Sequence, residues 1–162
     1  MTAAIRDAAS AADIALARAL FVEYAKWLAV DLCFQGFEHE LATLPGAYAR
    51  PRGRLLLAGE PEDAFGCIAL RPLELAGADP ARAIGEVKRL YVQPAARHGG
   101  WGRRLVEALV AEATAIGYCE LKLDTLHRMT DARALYGRLG FRECARYYDN
   151  PLADAVYMMR EL

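Results

Sequence analysis

The run Glu86-Val-Lys-Arg-Leu-Tyr-Val-Gln-Pro-Ala-Ala-Arg97-His-Gly-Gly100-Trp-Gly102-Arg-Arg-Leu-Val106 decides how this chain is read. A β-branched, strand-like stretch turns through three glycines directly into a helix. Glycine lets the main chain approach an anion closely and adopt a positive φ at low cost, while the first turn of the helix presents unpaired N–H groups and the positive end of its dipole. Such a bend is a phosphate cradle that needs no lysine.

Three cradles compete for the segment. A P-loop requires G-x-x-x-x-G-K-[ST], and the positions after Gly100 and Gly102 carry neither the lysine nor the hydroxyl residue. The dinucleotide fingerprint G-x-G-x-x-G/A matches in part: Gly100 and Gly102 fit and Asp124 follows about twenty residues on, but Leu105 stands at the third glycine. A nicotinamide-dependent oxidoreductase therefore remains a second reading. The third cradle, Arg97-x-x-Gly100-x-Gly102, matches in full the pattern [QR]-x-x-G-x-[GA].

Composition narrows the classes further. The 162 residues are 55% hydrophobic and 25% charged, enough apolar material for one core, so residues 1–162 are expected to form a single domain. A net charge of -1 disfavours nucleic acid or an anionic membrane surface as partner. Cys33, Cys67, Cys119 and Cys144 form no C-x-x-C, and the three histidines complete no ligand set with them, so no metal is expected. The first ten residues show no basic region followed by an apolar core, and no apolar run is long enough for a membrane span, which makes the cytoplasm the expected compartment.

Outward from the cradle, the order of elements can be read. Ala3 to Arg6 is a short strand, and Ser10-x-x-Asp13 a capping box opening a helix that carries Leu16, Leu20, Tyr24 and Leu28 on one face to about Val30. A second helical piece, Phe34 to Leu44, ends before Pro45-Gly46. Arg54 to Gly59 and Ala64 to Leu73 read as a hairpin, followed by the strand Ala83 to Val92. The helix after the cradle buries Leu105, Val106, Leu109, Val110 and Ala113 and stops near Gly117; Tyr118 to Leu126 is a strand. Thr130 or Asp131 caps a short helix ended by Gly140, and Phe141 to Tyr148 with Ala155 to Arg160 form the last two strands. This order implies an α/β (α+β) fold with a mixed, mostly antiparallel sheet of about six or seven strands flanked by about four helices. It disfavours the dinucleotide reading, whose cradle follows the first strand of a parallel unit.

With the cradle pattern and this order, the chain resembles the GNAT superfamily of N-acetyltransferases over nearly its whole length. A second stretch, Ala132-x-x-Leu135-Tyr136-x-x-Leu139-Gly140-Phe141, is similar to that family's second motif, A-x-x-L-Y-x-x-L-G-F. Met129 departs from it, standing where the family often has an asparagine that touches the cofactor. The resemblance implies acetyl-coenzyme A as cosubstrate, held by its pyrophosphate on the amides of Arg97, His98, Gly99, Gly100, Trp101, Gly102 and Arg103. It also implies a bulge that frees the main-chain N–H groups of Leu90, Tyr91 and Val92 for the thioester carbonyl and the pantetheine arm.

Acetyl transfer to an amine needs a proton acceptor for the ammonium, support for the oxyanion and a donor for the departing thiolate. A phenol suits the thiolate, with an ordinary pKa of about 10 against about 8.5 for the thiol. Tyr136 occupies the position where the family's second motif carries its general acid. Glu86, eleven positions before Arg97, resembles the catalytic glutamate of the histone-acetylating branch and is the candidate base, although a strand carboxylate is equally suited to a salt bridge with Lys88 or Arg71. Acceptor sites in the family draw on the N-terminal helices and last strands, which here offer Trp27, Phe34, Gln35 and Tyr147 as substrate-binding candidates. The implied activity is acetylation of a primary amine, on a small molecule or peptide, by direct attack in a ternary complex. The alternative is a catalytically silent coenzyme A or acyl-coenzyme A sensor. A homodimer through the final hairpin is expected by analogy.

Overall fold

The computed structural model describes residues 2–162. Its elements are β1 (Ala4–Asp7), α1 (Ala11–Leu28), α2 (Phe37–Thr43), β2 (Arg54–Gly59), β3 (Gly66–Leu73), β4 (Ile84–Val92), α3 (Trp101–Ile116), β5 (Glu120–Leu126), α4 (Thr130–Arg138), β6 (Arg142–Glu143) and β7 (Ala155–Glu161). Short 3-10 turns lie at Cys33–Gln35, Gly46–Tyr48 and Pro94–Gly99. The seven strands form one sheet in the order β1-β2-β3-β4-β5-β7-β6. Every pairing is antiparallel except β4 with β5. The expected mixed, mostly antiparallel architecture is the one observed.

The period-two alternation of β2 to β4 sorts their side chains between two helical layers. Leu56, Ala58, Ile68, Leu70, Val87 and Val92 pack under α3, against Leu105, Val106, Leu109 and Ala113. Leu55, Leu57, Cys67, Ala69 and Tyr91 face the other way, onto Ala17, Leu20 and Phe21 of α1. A central sheet covered on both faces explains why β2 is buried throughout. No helix among the described residues is long and apolar enough to cross a membrane.

Three elements differ from the sequence expectation. The helical piece expected over 34–44 is broken by Gly36, whose φ of 68° ends the 3-10 turn and starts α2 afresh. The short helix begins on Met129 as N-cap without a side-chain cap bond, so neither Thr130 nor Asp131 caps it. The strand expected over 141–148 is regular only at Arg142–Glu143. Beyond it the Tyr147 hydroxyl donates to Glu86 and the Tyr148 hydroxyl to Asp124, each at 2.7 Å. Two consecutive side chains aimed the same way are incompatible with a pleated strand.

Candidate active site

The cradle forms as its glycines require. Gly100 adopts φ 71° and a β-carbon there would meet open space, while one at Gly99 would lie 2.9 Å from the Trp101 ring. The first helical bond of α3 runs from Arg104 N to Gly100 O at 3.1 Å. The N–H groups of Trp101, Gly102 and Arg103 precede that bond and are left for an external acceptor. Gly102 faces Leu135 of α4, and the two helices bound a cavity of about 300 Å³ together with Leu90, Val92, Arg97 and His98. Arg97 forms part of its wall: Nε donates to Val92 O at 2.9 Å, and the guanidinium lies 4.5 Å from the Trp27 ring centroid. Arg103 pairs with Glu107 at 2.7 Å on the exposed face of α3, and Arg104 lies over the Trp101 ring at 3.9 Å.

Next to the cradle the sheet opens. β4 pairs with β5 only at Ile84 with Glu120, Gly85 with Leu121 and Glu86 with Lys122, and the strands diverge from there. On its other edge β4 carries a bulge, where Arg89 at φ 60° and Leu90 together oppose Ile68. A bulge bends the strand and strengthens its twist, turning this end of β4 away from β5. Gln93 N donates to Phe65 O at 2.8 Å on the β3 side. By alternation Tyr91 N–H also faces β3, and the N–H groups of Leu90 and Val92 face the opening. Of the three amides expected to be free, those two lie at the split.

The opening holds a second, smaller cavity of about 60 Å³, whose wall includes Tyr24, Gln35, Lys88, Asp124 and Tyr136. Leu90, Met129 and Ala132 border both cavities, so the one at the cradle and the one in the split adjoin. Tyr136 is 6% exposed and packs edge-on against Phe141 at 5.6 Å. Burial pushes its phenol well above the ordinary tyrosine range, with Tyr24 and Asp124 adding to the effect. A phenol so placed stays protonated at neutral pH.

Around the split, the face toward α1 and α2 carries a buried polar network. Gln35 Oε1 accepts from Lys88 Nζ at 3.1 Å and from Arg89 at 2.8 Å. Arg89 grips Glu40 with two bonds of 2.8 and 3.1 Å. Burial lowers the Lys88 ammonium from its ordinary range, opposed by Asp124 and Glu86. Glu86 is 2% exposed and both its oxygens are engaged: Oε1 accepts from Arg71 at 2.7 and 2.8 Å, and Oε2 from Tyr147 at 2.7 Å. The Arg71 salt bridge weighed from the sequence is thus formed, and Glu86 is absent from the wall of the split cavity.

The four substrate-binding candidates are dispersed. Gln35 and Tyr147 belong to the polar network. Trp27 stands 46% exposed beside Arg97 on the cradle side, and Phe34 stays at the surface, 37% exposed. Sequence reasoning missed Lys88, Arg89, Glu40 and Asp124 as a group. The available signal was three charges, Glu86, Lys88 and Arg89, inside a strand whose neighbours are apolar, because charges buried in a central strand require partners.

Comparison with known proteins agrees with this geometry. Residues 51–143 match the acetyltransferase (GNAT) domain. An uncharacterized N-acetyltransferase of Schizosaccharomyces pombe is 36% identical over 144 residues, 88% of this chain and 85% of the relative. The crystal structure of an acetyltransferase from Streptococcus agalactiae superposes with a TM-score of 0.78 at 20% identity, over 99% of this chain and 98% of that one. A GNAT family acetyltransferase from Elizabethkingia anophelis, solved with acetyl-CoA bound, matches 68% of this chain and 76% of its own at TM-score 0.55 and 23% identity. Cradle, split sheet and sequence kinship agree: the chain belongs to the GNAT family of acetyltransferases.

Proposed function

We propose that this protein transfers the acetyl group of acetyl-CoA to a primary amine by direct attack within a ternary complex. The observation that carries the reading is the row of groups along two adjoining cavities: unpaired amides at the start of α3, then those of Leu90 and Val92, then the Tyr136 phenol. The acetyl-CoA seen in the Elizabethkingia relative supports the choice of donor. In this reading the pyrophosphate rests on the amides between Arg97 and Arg103, where the dipole of α3 favours an anion. The pantetheine arm pairs with the open edge of β4, and a main-chain N–H supports the oxyanion as the thioester carbonyl becomes tetrahedral. Tyr136 gives its proton to the departing thiolate. No cysteine lines either cavity among the described residues, which favours direct attack over an acyl-enzyme.

Calorimetric titration with acetyl-CoA, followed by thiol release in the presence of a panel of amines, tests the proposal. Tyr136→Phe is expected to lower kcat about 100-fold while the acetyl-CoA Kd stays within about twofold, since the hydroxyl acts in the transition state. Equal losses of binding and rate would assign Tyr136 to packing. Binding of acetyl-CoA without thiol release with any amine would favour the silent sensor.

A further inference from the structure

Glu86, the carboxylate expected to act as base, has both oxygens occupied and lies off the cavity wall. Asp124 is differently placed. It stands on β5 two residues past Lys122, the last residue paired with β4, so its side chain enters the split where the strands have parted. It lines the same cavity as Tyr136. Its Oδ2 accepts from the Tyr148 hydroxyl at 2.7 Å and from Asn150 Nδ2 at 3.3 Å. Among the described residues its Oδ1 meets only Lys88 Nζ, at 3.5 Å. One oxygen is therefore clamped by two hydrogen bonds and the other meets a single long ion pair, on a side chain that lines the cavity, an arrangement that leaves Oδ1 able to accept a proton.

We infer that Asp124 takes the proton from the acceptor's ammonium group, with Tyr148, Asn150 and Lys88 holding its carboxylate in position. This rests on the acetyl-transfer reading above. The ammonium N–H bond breaks and its proton moves to Oδ1, which later passes it to water. The freed lone pair forms the C–N bond at the thioester carbon. As the tetrahedral intermediate collapses, the C–S bond breaks, the sulfur takes the Tyr136 proton, and the second proton leaving nitrogen restores the phenol. Amine and thioester thus become amide and thiol, with one proton released. Groups facing Asp124 come from every neighbouring element: Lys88 on β4, with the Glu86 carboxylate that shares Lys88 and Tyr147 with it, Tyr24 on α1, Tyr136 on α4, Tyr147 and Tyr148 before β7, and Tyr157 on β7. The five phenols are neutral near pH 7, so Lys88 is the charge that orients the carboxylate.

The test compares the wild-type protein, Asp124→Asn and Glu86→Gln over a pH series, with acetyl-CoA and an amine that wild type acetylates. Asp124→Asn is expected to bind acetyl-CoA as wild type does, to lose about 100-fold or more in kcat/KM near neutrality, and to gain about tenfold per pH unit up to the acceptor's own pKa, because only amine already deprotonated in solution then reacts. Glu86→Gln is expected to keep the wild-type shape of the profile, whatever its rate. Because Asp124→Asn leaves the Lys88 ammonium uncompensated, the double variant Asp124→Asn/Lys88→Met guards against misfolding; it is expected to melt cooperatively and show the same steep profile. Wild-type shape and rate in the Asp124 variants, or a steep profile in Glu86→Gln alone, overturns the assignment and leaves acetyl transfer standing. A wild-type enzyme that releases no thiol with any amine overturns both.

Discussion

Arg89 adopts φ 60° in the middle of a strand, a conformation that costs a residue with a β-carbon about 1–2 kcal/mol. The cost is offset by what the guanidinium reaches, the two-pronged grip on Glu40 and the bond to Gln35. The kink also puts Lys88 and Arg89, consecutive residues, on one acceptor, Gln35 Oε1, which a regular pleat forbids. Removing one partner of a buried pair strands the other, so Arg89→Ala is expected to destabilise the protein by about 3–5 kcal/mol in urea unfolding. Replacing both partners, as Arg89→Met/Glu40→Gln, is expected to restore part of that loss. Equal destabilisation of single and double variants would show that Glu40 is not the group left uncompensated.

At the scale of elements, α1 begins on a complete capping box. Asp13 N donates to Ser10 Oγ at 3.1 Å and Ser10 N to Asp13 Oδ2 at 3.2 Å. Ser10→Ala is expected to cost about 1 kcal/mol, seen as a fall in Tm of roughly 2–4 °C. An unchanged Tm would mean that the Arg6–Asp13 ion pair alone fixes the helix start. This cap was legible because both partners lie three residues apart, as were the glycine bend and the stretch around Tyr136. The polar network was not: Gln35 and Tyr148, which touch at 3.4 Å, are separated by 113 positions, and nothing local in either segment announces the other. The same distance effect hid the irregular course of residues 144–148, where tertiary hydrogen bonds override a strand-like sequence. Glu86 and its Arg71 partner were both legible as charges on neighbouring strands, whereas Tyr147 reaches Glu86 from the irregular segment before β7, 61 positions away.

For the whole molecule, the tyrosines clustered about the split set a limit at alkaline pH. Burial pushes the Tyr24 phenol up to about 12, helped by Asp124, Cys67 and Glu40 and opposed by Arg89. Burial also raises Tyr136, Tyr147 and Tyr148. A phenol raised in the folded state holds its proton after the unfolded chain, with its ordinary pKa of about 10, has released it. Its stabilising contribution is therefore complete below about pH 10 and is lost as pH rises through the folded value, at about 1.4 kcal/mol per pH unit for each group. The urea midpoint should hold steady up to about pH 10 and fall steeply above it, with phenolate absorbance from these residues appearing only as the chain unfolds. Gradual ionisation of all eight tyrosines in a still-folded protein would contradict this.

The short parallel seam between β4 and β5 has a last consequence. Three residue pairs join the two half-sheets, and beyond them each lacks a partner for its inner edge. In the proposed complex the donor's own amide-bearing arm supplies the absent rung, so that seven protein strands and one substrate chain make a continuous ladder. The scaffold is built one strand short, and in that proposed complex its reactant completes it.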